Sequence, residues 1–310
     1  GADLSGKDLT GTILKGADLT DVKLPNIILS EKNFQKITFD GIDLSGKDLS
    51  KSSLWQASFK NTNLENVNLH LADLMATDLT KIKNKSLAGA DLSGTSFLLA
   101  NLSGINLSNV MLDTTNFLRT DLSGVDFTVI DGVLLGSSFK YSTLTNSNFE
   151  GVILSPQHMY KTIFENKAHL KQEFESGSIS MKDYQYGIFG EAIETRHMYS
   201  AEVRGNDLIV EYIFYNNFDN AHLENANFKN ASLQSSNFYS ANLTNADLSG
   251  ADLTKSLLKN ADFINANLSG AYLVHADLSA ADLSGANLSG ADLSGANLSG
   301  ADLSGADLSG

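Results

Sequence analysis

Histidines and carboxylates are the groups with which this chain could do chemistry, and their spacing decides what kind. Six histidines stand at positions 70, 158, 169, 197, 222 and 275. His158 and His169 are eleven residues apart, about three helical turns, so on a helix they could share a face and offer metal binding or proton transfer. His197 falls on a different predicted helix and the other three are scattered, so the six read as surface histidines. No P-loop, nucleophile elbow or dinucleotide fingerprint is present. With no cysteine there is no disulfide or thiolate chemistry. No convergent acid–base pair is visible, so the expectation is a non-enzyme with no cofactor and no metal. The aspartates behave differently. Asp252, Asp262, Asp282, Asp292 and Asp302 each stand immediately before a leucine or phenylalanine, at intervals that are multiples of ten.

That interval belongs to a larger pattern. From Ala246 to Gly310 the sequence repeats Ala-Asp-Leu-Ser-Gly or Ala-Asn-Leu-Ser-Gly, with a large apolar residue every fifth position from Leu248 to Leu308. A period of five matches neither a helix face nor a strand face; a fixed short period means a repeat architecture. Each unit has one large apolar centre, one small residue two positions before it and three residues suited to turns and solvent. One unit buries almost nothing, but stacked coils could fill a narrow interior with large and small residues in alternation.

The pattern resembles the pentapeptide-repeat family, whose consensus is Ala-(Asp/Asn)-Leu followed by two variable residues. The resemblance covers nearly the whole chain except one insert. It implies an all-β solenoid: a right-handed, quadrilateral parallel β-helix with four pentapeptides per coil.

In chain order, sixteen centres run from Leu4 to Leu79. Leu87 follows eight residues later, so Thr80–Ser86 must bulge, carrying Lys81, Lys83 and Lys85 as a solvated turn or a contact loop. Nine centres run from Leu87 to Phe127, a second bulge falls at Val129–Gly132, and five more centres end at Leu154. Ser155–Ser200 breaks the pattern. Ser155-Pro156 reads as a helix start, Met159, Ile163, Leu170 and Phe174 keep to one helical side, and Ser180–Asp183 resembles a capping box. The expectation is an inserted α-helical hairpin over 155–200, between solenoid segments 1–154 and 201–310 that form one rod. The solenoid is then expected to resume with centres Val203, Leu208 and Ile213. That register turns Tyr212, Phe214 and Tyr215 outward, as a wall for the hairpin or a partner patch. Twelve of the 16 phenylalanines fall on centres.

With 36 acidic against 22 basic residues the net charge is −14, which disfavours direct nucleic-acid binding. No apolar run is long enough for a membrane span. The expected location is cytoplasmic, with a secreted bacterial effector or a removed signal as alternatives. Four units per coil put positions 20 apart on one face, so Asp262, Asp282 and Asp302 form a column, and Tyr272 lies between Asp252 and Asp292. Such a column either protects against lateral aggregation or presents acid to a basic partner. The leading expectation is a scaffold that binds a protein partner. The alternatives are a DNA mimic that binds gyrase, as the resemblance to fluoroquinolone-resistance members implies, and a structural or engineered assembly. In the last, the C-terminal coil pairs with another copy as a homodimer or filament.

Overall fold

A computed structural model describes residues 14–24, 28–131, 134, 136–154, 160–164, 196–204, 207–214 and 216–310. The repeat closes a coil every four units: parallel bridges join Asp18 to Thr38, Asp247 to Asn267 and Asp262 to Asp282. The unit Ala246–Gly250 shows why the consensus has its form, because each of its five N–H groups has a partner. Ala246 N–H donates to Leu243 O (2.9 Å), closing the turn, and Asp247 N–H to Ala226 O (3.0 Å) of the coil before. Leu248 N–H and Gly250 N–H donate to Asn267 O (2.7 Å) and Ser269 O (2.9 Å) of the coil after. The remaining N–H, of Ser249, donates to the Asp247 side chain at 3.0 Å. Aspartate or asparagine therefore completes the backbone's bonding. Gly250 has φ +66°, and a Cβ there would meet Asn230 Oδ1 at 2.4 Å.

The same bond sets the acid response of the turns. The carboxylates of Asp43, Asp292 and Asp302 are held below the usual range chiefly by the hydroxyl and N–H of the serine two residues on. A depressed folded-state value means stability that is present above the unfolded value and lost as pH falls through the folded one.

Centres and small residues fill the interior as expected: Leu253, Phe117 and Ala251 are wholly buried. Eight of the phenylalanines form two stacks. Under one face, Phe97, Phe117, Phe139, Phe218 and Phe238 stack with centroids 5.5, 5.1, 4.8 and 4.6 Å apart. Under the opposite face Phe127, Phe149 and Phe228 stack at 4.3 and 4.7 Å. Edge-on contacts near 6 Å, such as Phe149–Phe218 (6.1 Å), join the two stacks.

Both short bulges are absorbed without opening the coil. At the first, Ile82 takes the small-residue place and is buried, Lys83 N–H donates to Thr62 O (2.9 Å), and Lys83–Lys85 form a 3-10 turn with Asn84 at φ 57°. At the second, Asp131 N–H donates to Val110 O (3.0 Å).

The long insert departs from the sequence reading. Strands β1 (Tyr160–Phe164), β2 (Arg196–Arg204) and β3 (Asp207–Phe214) form an antiparallel sheet in the order β1-β3-β2. Tyr160 pairs with Tyr212, Ile163 with Ile209 and Ala201 with Val210. The helical hairpin over 155–200 is thus corrected at both ends; residues 165–195 lie outside the described set. Tyr-Lys-Thr-Ile-Phe is aromatic and β-branched, and a short apolar run cannot be assigned to helix or strand by periodicity alone. Val203, Leu208 and Ile213 are likewise strand residues, not solenoid centres, and Tyr212 and Phe214 lie in β3 instead of on a rod wall. Tyr215 lies outside the described residues. The solenoid resumes at Asn216: Ser138 bridges Asn217 and Ile153 bridges Ser232. The rod is therefore continuous across the insert.

Candidate interaction surface

Position within the repeat decides what projects. The residue before each centre lies on a flat face, and the two after it lie on a corner. The four faces carry four ladders of bridges. The first face has Asn116, Ser138, Asn217, Asn237, Leu257 and Asp277; the second has Asp121, Thr143, His222, Asn242, Asp262, Asp282 and Asp302. The third carries Asn227, Asp247, Asn267, Asn287 and Asp307, and the fourth Ser232, Asp252, Tyr272 and Asp292.

The structure brings Asp262, Asp282 and Asp302 together on the second face, one coil apart. Asp282 and Asp302 accept from Ser284 N–H (2.9 Å) and Ser304 N–H (2.8 Å). Asp262 is followed by Phe263 and Ile264, which offer no hydroxyl. Partial desolvation, and then the neighbouring charge of Asp282, push its carboxyl above the usual range. A raised folded-state value gives stability that is fully present below the unfolded value and lost as pH rises through the folded one. Asp262→Asn is therefore expected to raise the melting temperature at about pH 7 and to leave it unchanged at about pH 2.5, below both values. Calorimetry at the two pH values checks this, and an equal shift at both would overturn it.

Lys81, Lys83 and Lys85 are all exposed on the first bulge. Lys81 Nζ lies 3.5 Å from Asp78. Asp43, held low first by Ser45, also feels the charge of Lys83. Lys81 and Lys83 thus sit beside carboxylates on a tight turn. Among the histidines, His197 lies in β2, not on a helix, and His158 and His169 are outside the described residues. Among the described residues no group of histidines and carboxylates is placed to hold a metal.

Sequence reasoning missed one surface. Three corners carry mainly small or polar residues, such as Ser103-Gly104, Ser249-Gly250 and Ser294-Gly295. The corner between the first and second faces carries Trp55, Met75, Leu98-Leu99, Leu118-Arg119 and Lys140-Tyr141 in successive coils, and Tyr239 two coils further on. Leu99 is 53 %, Tyr141 44 % and Tyr239 41 % exposed. Lys36 Nζ sits 5.0 Å from the Trp55 ring centroid and the Arg119 guanidinium 5.6 Å from that of Tyr141. Lys140 pairs with Asp219 at 3.1 Å. The signal was available in the residues that follow each first-face centre, read coil by coil.

The family profile described as pentapeptide repeats matches in eight copies, over residues 1–30, 42–80, 90–128, 217–250, 241–279 and 271–310. No curated protein matches the sequence. Among solved structures, HetL, a pentapeptide repeat protein involved in heterocyst differentiation regulation in the cyanobacterium Nostoc sp. strain PCC 7120, is 23 % identical. The alignment covers 90 % of each chain with a TM-score of 0.32. Rfr23 from the cyanobacterium Cyanothece 51142 is 36 % identical over 28 % of this chain and 58 % of its own, with a TM-score of 0.28. QnrB1, a plasmid-mediated fluoroquinolone resistance protein, is 16 % identical over 90 % of this chain and 84 % of its own, with a TM-score of 0.31.

Proposed function

Because the chain belongs to the pentapeptide-repeat family, with its right-handed β-helix, we propose that it is a non-enzymatic scaffold that binds a protein partner. The observation that supports this is the committed backbone. Each N–H of the repeat unit is bonded within the rod, so the outward side chains form four rigid columns one coil apart. Such a surface suits recognition by complementarity. A recess lined by Asp21, Lys23, Asp43 and Lys47 is open to solvent, unlike the enclosed clefts in which substrates are held. An immobilised rod is expected to retain proteins from a lysate of its source cells that free rod competes away. If no retained protein is competed, the scaffold reading fails.

The second reading is a DNA mimic that binds gyrase, and the Asp262–Asp282–Asp302 column on a chain of net charge −14 favours it. It predicts inhibition of gyrase supercoiling at concentrations on the order of micromolar, lost when these three residues become asparagine. Unchanged supercoiling with the wild-type protein would remove that reading and leave the scaffold.

A further inference from the structure

We propose that the corner between the first and second faces is a docking ridge for an acidic segment of a partner protein that carries aromatic or aliphatic side chains and lies along the rod axis. This rests on the scaffold reading and names its surface and the chemistry of its partner.

Two observations carry it. The first is backbone conformation. Leu99, Arg119 and Tyr141 adopt φ of 61°, 54° and 55°, the left-handed region in which side chains beyond Gly, Asn and Asp are strained. Two of the other corners fill this position mostly with glycine or asparagine, such as Gly104, Gly124, Asn146 and Asn245, while the fourth carries mixed residues that include Lys51, Leu71 and His275. Leu99 is 53 % exposed, so little burial offsets its strain. Asparagine would hold these turns with less strain, and what sets this corner apart is that Leu99, Arg119 and Tyr141, large side chains in that conformation, follow one another in three successive coils.

The second observation is charge. Lys36, Arg119, Lys140 and Lys259 lie on this corner, against the single carboxylate of Asp219, which is tied to Lys140. The rest of the rod is acidic, so this corner is complementary to carboxylates. Rings beneath Lys36 and Arg119 hold these cations in place, and the exposed Leu99 lies between them for an apolar anchor. From Lys36 to Lys259 the ridge spans eight coil steps, about 38 Å at ~4.8 Å per step, the length of an extended segment of roughly twelve residues. A nucleic-acid strand fits less well. Its charges recur every ~3.4 Å and would run beside Asp121, Asp262 and Asp282 on the adjoining face, whereas a peptide places carboxylates only where cations stand.

The test uses the full chain and fluorescein-labelled poly(Glu,Tyr) copolymer, read by fluorescence anisotropy, with poly(Glu) and oligo(dT) as comparison probes. Poly(Glu,Tyr) is expected to bind at least tenfold more tightly than either. The variant Leu99→Asn, Arg119→Asn, Tyr141→Asn is expected to bind it at least tenfold more weakly. Its melting temperature should be no lower than wild type, because asparagine suits these turns. Asp262→Asn, Asp282→Asn, Asp302→Asn, on the neighbouring face, should not weaken binding. The proposal is overturned by any of several outcomes: no binding of poly(Glu,Tyr), equal binding by the ridge variant, or equal or tighter binding of poly(Glu) or oligo(dT). Light scattering that shows wild-type dimers lost in the ridge variant would assign the ridge to a second copy and also overturn it. Competed capture from lysate that persists unchanged in the ridge variant removes the ridge but keeps the scaffold; no competed capture by wild type removes the scaffold itself.

Discussion

Phe139→Ala is expected to lower the unfolding free energy by ~3–5 kcal/mol, the range for emptying a phenylalanine site in a packed core. Phe139 is wholly buried. Its ring stacks on Phe117 at 5.1 Å and on Phe218 at 4.8 Å, and meets Phe127 and Phe149 edge-on at 5.8 and 6.1 Å. The site cannot collapse readily. Its neighbours are rings on backbones pinned by Phe117 N–H to Ser138 O (2.7 Å) and Phe139 N–H to Asn217 O (2.7 Å). The four lost ring pairs place the expected loss toward the upper end of that range. Phe139 precedes the insert and Phe218 follows it, so the stack ties together the coils on either side of the insert. Guanidinium unfolding followed by circular dichroism measures the loss. Because coils contact only their neighbours, the variant is also expected to split one transition into two. A loss under about 1 kcal/mol, far below the range for such a site, would mean that the stack does not join the two parts of the rod.

The second large effect is expected at Asn216. This residue occupies a small-residue place in the interior and is wholly buried. Its Nδ2 donates to Leu134 O (2.8 Å) and Leu154 O (2.6 Å), and its Oδ1 accepts from Ser137 N–H (3.0 Å). Leu154 is the last centre before the insert and Leu134 the first after the second bulge. One amide thus closes the backbone gaps that two interruptions leave in adjacent coils. Asn216→Ala strands two carbonyls and one N–H in the core, at about 1–3 kcal/mol for each unsatisfied group, or ~3–9 kcal/mol in all. Asn216→Asp keeps the shape but loses the donor, and it buries a charge unless protonated. Its defect should therefore ease as pH falls. Hydrogen exchange at Ser137 and Phe218 should quicken in both variants. Wild-type protection with Ala at 216 would show that the gap closes by other means.

Much of the rod was legible because the repeat is local: the same five residues that form one turn also name its inward and outward positions. Leu253 and Phe117 could be placed inside from the period alone, and the Asp262 column from a coil of four units. The insert was not legible. Tyr160–Phe164 has apolar residues that suit a helix side or a strand equally, and its partner in β3 lies almost fifty residues away, at Leu208–Tyr212. Val203, Leu208 and Ile213 kept the five-residue spacing by coincidence. What removes them is strand pairing: Leu208 pairs with Val203 and Phe164, and Ile213 with His197, in the antiparallel sheet.

The sequence by itself determined the repeat, the buried set and the role of aspartate or asparagine at each turn, because those follow from bonds and burial within a few residues. Tertiary structure decided which outward side chains meet. Stacked neighbours are 20 residues apart in an unbroken coil, as for Asp247 and Asn267. Each interruption resets that offset: Asn68 stacks on Asp91, Asn116 on Ser138 and Ser138 on Asn217. The ridge crosses all three interruptions, so Lys36, Arg119, Tyr141 and Tyr239 share no simple spacing. The reason is physical. An extra loop shifts the numbering by its own length, but backbone hydrogen bonding between coils restores the stack on its far side, and only the folded rod shows where each column continues.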